Sequence, residues 1–372
     1  MAPAIAAEIR ALIAGTLDWD FIFRAASMNS ITPLVALQLR AVSADIAAPE
    51  RARLKAADRA NQVRSLVLSS VLIRILDAFE ARGILAIPYK GPALAAQAYG
   101  DPGLREFEDL DIILGQRDIP KAHEVMLGLD YHPRFPQLFS TGTASRRIPG
   151  EYNYRDEGRR VMVELHTEAT LRHFPVAPDV GEFAARMAPI ELCGHKVKTL
   201  SPEDALVALS VHGTKDFWER ISWIADISEL VQSHPSLDWD AVWRRAESLR
   251  AERMVCLGLA LAAGLLGAPL PPEIASRVAG DKVASSSASE IERRHLSRDP
   301  CSPGSAWRFG FRRRMVPGFF RGWRYALRLA FAPSEEDWET LRLPPALAPV
   351  YAALRPLRLL RKHARIARGS RK

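Results

Sequence analysis

The sequence predicts an α+β fold in which two helical regions flank a short sheet-bearing segment. Three observations predict it. Residues 4–82 carry apolar side chains at helical spacing throughout. Between 83 and 200, short apolar runs alternate with turns marked by glycine, proline and aspartate. From Ser201 onward helical patterning returns. The 372 residues therefore divide into an N-terminal helical region (1–82), a central domain (83–200) and a C-terminal helical domain with a basic tail (201–372).

In the first region, Ile5, Ile9, Leu12 and Ile13 share one helical face, and Asp18 ahead of Trp19 offers a cap for a second helix. Thr32-Pro33 starts a third, because a proline is tolerated in a first turn. Pro49 to Arg82 reads as one long amphipathic helix stopped at Gly83. In the central segment, Ile84 to Ile87 reads as a strand, Pro92 to Tyr99 as a short helix and Leu110 to Leu114 as a second strand. Asp118 and Pro120 open a helix to about Leu129. Pro133, Pro136 and Pro149 make Tyr131 to Gly150 a long loop. Tyr152 to Arg155 and Val161 to His166 form a hairpin around Asp156-Glu157-Gly158, and Ile190 to Thr199 a second around Gly194. Ser201-Pro202-Glu203-Asp204 combines an N-cap, a first-turn proline and acids at a helix start. Helices are then expected over 205–211, 218–231, 239–249 and 251–266, with Ala284 to Ser289, ASSSAS, as a flexible loop.

Asp109 and Asp111 lie one residue apart in the second strand of the central segment, so both carboxylates point to one side while Leu110 and Ile112 point to the other. Like charges held that close repel unless a cation such as Mg²⁺ sits between them. A solvated Asp-Leu-Asp turn is the competing reading. Glu164, flanked by Val163 and Leu165 in an apolar strand pattern, supplies a third outward carboxylate; the three together form a cage for one or two Mg²⁺ ions. Lys90-Gly91, where a strand gives way to a helix, suits a phosphate, because glycine permits close backbone approach and lysine adds charge. Arg105 is placed to reach a phosphate or to pair with the acids, and His166 to orient a carboxylate or to pack. No P-loop and no GxGxxG is present.

Composition excludes other classes. Cys193, Cys256 and Cys301 form no CxxC pair, so neither a zinc site nor a disulfide framework is expected, and a reducing, cytoplasmic setting follows. The N-terminal residues lack a basic segment followed by an apolar core, and the most apolar stretch, Met254 to Leu270, has 17 residues with three glycines and a proline, short of a bilayer span. Neither a signal peptide nor a transmembrane segment is expected. Residues 301–372 hold 16 Lys or Arg against 4 Asp or Glu, a surplus of 12 against +8 for the whole chain, which leaves the first 300 residues at −4. This basic, aromatic C-terminal region suits an acidic partner, RNA or a membrane surface.

The stretches YKGPALAAQAYGDPGLREFEDLDIIL, VELH and LVALSVHGTKDFWERISWIADISELV resemble the uncharacterised bacterial nucleotidyltransferase family, a divergent branch of the polymerase-beta-like nucleotidyltransferase superfamily. LRLPPALAPVYAALRPLRLLRK resembles the family's closing segment, so the likeness covers nearly the whole chain. Where the superfamily usually has a Gly-Ser pair after the first strand, this chain has Lys90-Gly91. The resemblance implies a polymerase-beta-like core with a mixed sheet, and a helical domain carrying His212, Lys215, Trp218, Trp223 and Asp226 toward it. It implies an enzyme that moves a nucleoside monophosphate from an NTP, with ATP the expected donor, to a small molecule, peptide or protein. Asp109, Asp111 and Glu164 would be catalytic and bind two Mg²⁺ ions, while Lys90, Gly91, Arg105, His166, Lys215 and Asp226 would serve the nucleotide side. A phosphotransferase using the same three acids, and a non-catalytic binding module, are the alternatives.

Overall fold

A 33-residue helix connects the N-terminal helices to the sheet. In a computed structural model, which describes residues 3–136, 139, 151–156, 158, 161–167, 174–176, 180–297, 304–331, 347, 350–356 and 358, the chain opens with α1 (Pro3–Ile13) and α2 (Trp19–Met28). The Asp18 carboxylate accepts from the Phe21 amide and caps α2. α3 (Thr32–Arg40) carries Pro33 in its first turn, and α4 follows (Ala48–Glu80). At 1.5 Å per residue α4 is about 50 Å long. Its first half closes a small core of Phe23, Ala36, Ile46 and Leu54. Its second half lays Leu68, Leu72, Ile75 and Phe79, one stripe at i, i+4, i+7 and i+11, under the sheet.

Gly83 in the left-handed region (φ 66°) lets the Ile84 amide return to the Phe79 carbonyl. This helix termination takes up the start of the expected first strand, so β1 covers Ala86–Pro88. Next come α5 (Gly91–Leu94), a π-helical turn (Ala95–Tyr99), β2 (Asp109–Leu114) and α6 (Ile119–Gly128). Asp118, expected as a cap, makes no capping bond; it ends a 3₁₀ turn that leads into α6. β3 (His132–Pro133), β4 (Glu151–Asp156) and β5 (Val161–His166) complete a five-stranded sheet of order β1-β2-β5-β4-β3. The sheet is mixed, because β2 and β5 run parallel and every other pair antiparallel. α7 (Val180–Ala184) precedes a separate hairpin of β6 (Ala188–Leu192) and β7 (His195–Thr199).

The two faces of the sheet carry different cores. Leu110, Ile112, Leu114, Val163 and Leu165 point down onto α4 and α6. Ile87, Tyr89 and Ile113 point up into the core of the C-terminal helices. Those helices are α8 (Pro202–Lys215), α9 (Ile221–Ser233), α10 (Trp239–Leu249), α11 (Glu252–Leu266), α12 (Pro272–Gly280) and α13 (Lys282–Leu296), then α14 (Ser305–Arg314) and α15 (Phe319–Phe331). Ser201 caps α8 through the Asp204 amide. The Trp218 ring is fully buried against Gly213, where a Cβ would lie 2.6 Å from it, so this tryptophan packs between helices.

ASSSAS is not a flexible loop; it lies inside α13. Asp281 caps that helix through the amides of Val283 and Ala284, and Ala284, Ser287 and Ala288 are buried. Small side chains there allow close helix contact. No described helix is long and apolar enough to cross a membrane. Of the cysteines, Cys193 is exposed and Cys256 buried, whereas Cys301 lies outside the described residues. So do most of the loop expected over 131–150 and most of the closing segment over 341–362.

Candidate active site

The parallel pairing of β2 with β5 places Asp111 directly beside Glu164, with Ile113 beside His166 two residues on. Because strand side chains alternate, Asp109, Asp111, Glu164 and His166 share the upper face. One ligand atom each from Asp111, Glu164 and His166 lie within 4.8 Å of one another, a spacing a metal ion could bridge. Asp109 stands at the open end of the row, next to Asp111 in the strand and within electrostatic reach of Glu164.

The charges explain how so many acids are held together. Lys90 Nζ donates to Asp111 Oδ1 at 3.0 Å, and His166 Nε2 lies 2.9 Å from the same oxygen and 3.4 Å from Glu164 Oε2. Burial opposes the charge on Asp111, but Lys90 and His166 outweigh it and hold this carboxyl far below the usual range. Burial likewise disfavours the imidazolium, yet hydrogen bonds to Asp111 and Glu164 push His166 up to about 9. Lys90 is raised by the same balance, burial set against Asp111. Among the described residues, Asp109 has no such hydrogen-bonded cation. Burial first, then repulsion from Asp111 and Glu164, raise it to about 6.

Arg105 and Asp226 meet through two hydrogen bonds, Nε to Oδ1 at 2.8 Å and Nη2 to Oδ2 at 3.0 Å. Tyr99 donates to the same Oδ1 at 2.8 Å. Asp226 is fully buried, so it acts on Arg105 and does not face the cleft. The Asn61 side chain of α4 donates to the carbonyls of Gly103 and Arg105 and fixes the loop that carries this arginine. Gly91 has a φ of 54°, and a Cβ there would meet the Asp109 carbonyl oxygen at 3.1 Å. Glycine is required at that corner by conformation and by space.

A cleft of about 870 Å³ opens over Asp109 and Asp111, while Glu164 is not among its lining residues. Its floor includes Lys90, Arg105, Asp109 and Asp111; α4 contributes Asn61 and Arg64, and the C-terminal helices contribute His212, Arg220 and Trp223. His212 packs edge-on against Trp223, and burial together with the positive charges of Lys90 and Lys215 keeps its imidazole neutral. Lys215 does not line this cleft; its ammonium lies 3.4 Å from Asp216. Sequence reasoning missed Asn61, Arg64 and Arg220. Nothing in a long amphipathic helix marks which polar residues will border a cleft built by strands further along the chain.

A family model described as uncharacterised nucleotidyltransferase matches residues 15–267. No curated protein matches the chain significantly. Two solved structures resemble parts of it. One is the solution structure of the antibiotic-resistance factor ANT(2'')-Ia, with a TM-score of 0.36, 12% identity, and coverage of 50% of this chain and 91% of that one. The other is the crystal structure of an antigenic nucleotidyltransferase-like protein from Paracoccidioides brasiliensis, with a TM-score of 0.34, 16% identity, and coverage of 59% and 92%.

Proposed function

The chain belongs to the uncharacterised nucleotidyltransferase family, and we propose that it is a Mg²⁺-dependent enzyme moving a nucleoside monophosphate from ATP to an acceptor. The observation that carries this reading is the row of carboxylates on the upper face of β2 and β5, with Asp111 beside Glu164. The residues fit a hard divalent cation. Asp109, Asp111 and Glu164 offer oxygen donors, and Asp109 is pushed up to about 6 by burial and then by the negative charge of Asp111 and Glu164. These three would hold the metal, with two ions as the proposed complement. Held by these carboxylates, Mg²⁺ would supply charge neutralisation for the transferring phosphoryl group and acidify an attacking hydroxyl.

The protein's own groups do the rest. Lys90 and Arg105, both on the floor of the cleft, offset the negative charge of the triphosphate, where fixed cations stabilise a transition state most. Asp226 holds the Arg105 guanidinium in one orientation by its two-pronged contact. Gly91 lets the chain turn tightly above the Asp109 carbonyl. Glu164, 18% exposed against 3% for its strand neighbour Asp111, is the more accessible of that pair and the proposed base for the acceptor's proton. His166 positions Asp111. Lys215 adds to the positive field that keeps His212 neutral. The acceptor is a small molecule, peptide or protein, and the proposed location is cytoplasmic.

Calorimetry with Mg²⁺ and a non-hydrolysable ATP analogue tests the site. Binding heat in the wild type that disappears in Asp109→Asn with Asp111→Asn supports it; equal heat in both sinks the metal assignment.

A further inference from the structure

Outside the cleft, the structure gathers positive charge and exposed aromatic surface in one place. Residues 304–331 contain seven arginines and no acid. At 3.6 residues per turn, α15 divides into three stripes. Gly322, Tyr325, Ala326 and Leu329 are buried against the body. Phe319, Phe320, Trp323, Leu327 and Phe331 form an exposed apolar stripe, with Phe320 83% exposed. Arg321, Arg324 and Arg328 form the third stripe, along one border of the apolar one.

The helix is firmly seated. A Cβ at Gly322 would lie 2.2 Å from the Arg313 carbonyl oxygen of α14, so only glycine allows the two helices to cross this closely. Arg313 lies over the rings of Phe319 and Trp323 on the other border of the stripe. Beneath the arginine stripe is a pocket of about 200 Å³ lined by Arg250, Arg321, Arg324 and Arg328 together with Pro175. Arg328 donates to the carbonyls of Phe174 and Pro175, and none of these four arginines pairs with a carboxylate among the described residues. Four arginines around one pocket whose lining holds no acid suit a phosphate-bearing anion.

We propose that α15 is a peripheral membrane-docking helix that seats an anionic phospholipid headgroup in the Arg250/Arg321/Arg324/Arg328 pocket and rests its aromatic stripe in the acyl boundary. Interfacial helices have this arrangement, an aromatic face bordered by arginines. The anionic charge of such a surface complements the arginines, which pair with no carboxylate among the described residues. RNA fits less well. A nucleic-acid face carries its cations within the contact surface, whereas here the apolar stripe, including the aliphatic Leu327, is separate from the arginine stripe.

The test is sedimentation of the full-length protein with vesicles of phosphatidylcholine, with or without phosphatidylglycerol. The expected result is binding to the anionic vesicles only. Arg321→Glu with Arg324→Glu should weaken it by roughly 30-fold or more, from about 1 kcal/mol per basic residue. Phe320→Ser with Leu327→Ser should weaken it at least as much; since both side chains are exposed, the thermal melt should not move. Four results would overturn the proposal. These are anionic-vesicle binding indifferent to both pairs, inorganic phosphate binding without vesicle binding, polyuridylate binding without vesicle binding, and self-association lost with Phe320→Ser.

Discussion

Arg105, on the loop before β2, and Asp226, in α9, face each other through two hydrogen bonds of 2.8 and 3.0 Å, with side chains 9% and 1% exposed. This ion pair ties the strand that carries the acids to the helices that roof the cleft. Removing one partner leaves the other charge buried alone. Asp226→Ala should therefore cost about 3–5 kcal/mol in urea unfolding. Tyr99→Phe, which removes one donor to the same carboxylate, should cost about 1 kcal/mol. Because Arg105 lines the cleft, Asp226→Ala should also weaken nucleotide binding more than Tyr99→Phe does.

Asp109 and Asp111 should respond oppositely to neutralisation in metal-free protein. The Asp109 carboxyl is raised to about 6 in the fold, so its ionisation destabilises. The penalty is absent below about pH 4, where the group is protonated folded and unfolded, grows between about pH 4 and 6, and stays constant above. In a chelator at pH 7.5, Asp109→Asn should unfold at higher urea than the wild type, by about 1–3 kcal/mol. Asp111→Asn should unfold at lower urea, since it strips the shared partner from Lys90 and His166. Added Mg²⁺ should stabilise the wild type and neither variant.

Gly91→Ala should lose stability and turnover together. The left-handed φ alone costs a non-glycine residue about 1–2 kcal/mol, and the new Cβ would press on the Asp109 carbonyl oxygen, 3.1 Å away. Unfolding and NTP consumption measured on the same preparation check it; unchanged turnover would place Asp109 outside the reaction.

Lys90 and Lys215 should separate clearly. Lys90, on the cleft floor, should lose roughly 10²–10³ in kcat as Lys90→Ala, the effect of removing a preorganised charge. Lys215, beside Asp216 and away from the cleft lining, should stay within about threefold as Lys215→Ala, the scale of a partly exposed pair. Steady-state kinetics on the two variants decide this.

Part of this site was legible in the sequence because it is local. Period two puts Asp109 and Asp111 on one face, and VELH puts Glu164 and His166 on one face of another strand. That these strands are parallel neighbours, with Asp111 level with Glu164, is a long-range pairing no local pattern encodes. Arg105 could be read as a phosphate ligand or as a partner for acids, but its partner, Asp226, is 121 residues away and the sequence does not link them. ASSSAS misled because small polar residues suit a loop and a tight helix contact equally; the Asp281 cap two residues before Val283 was the signal for the helix.

Nucleotidyl transfer is followed through the phosphorus. The protein is incubated with Mg²⁺, a pool of small-molecule, peptide and protein acceptors, and ATP labelled at either the α- or the γ-phosphate. The α-label should enter an acceptor with release of an equal amount of pyrophosphate, and both should be lost in Asp109→Asn with Asp111→Asn. Transfer of γ-label with release of ADP, or α-label transfer that survives both substitutions, would contradict it.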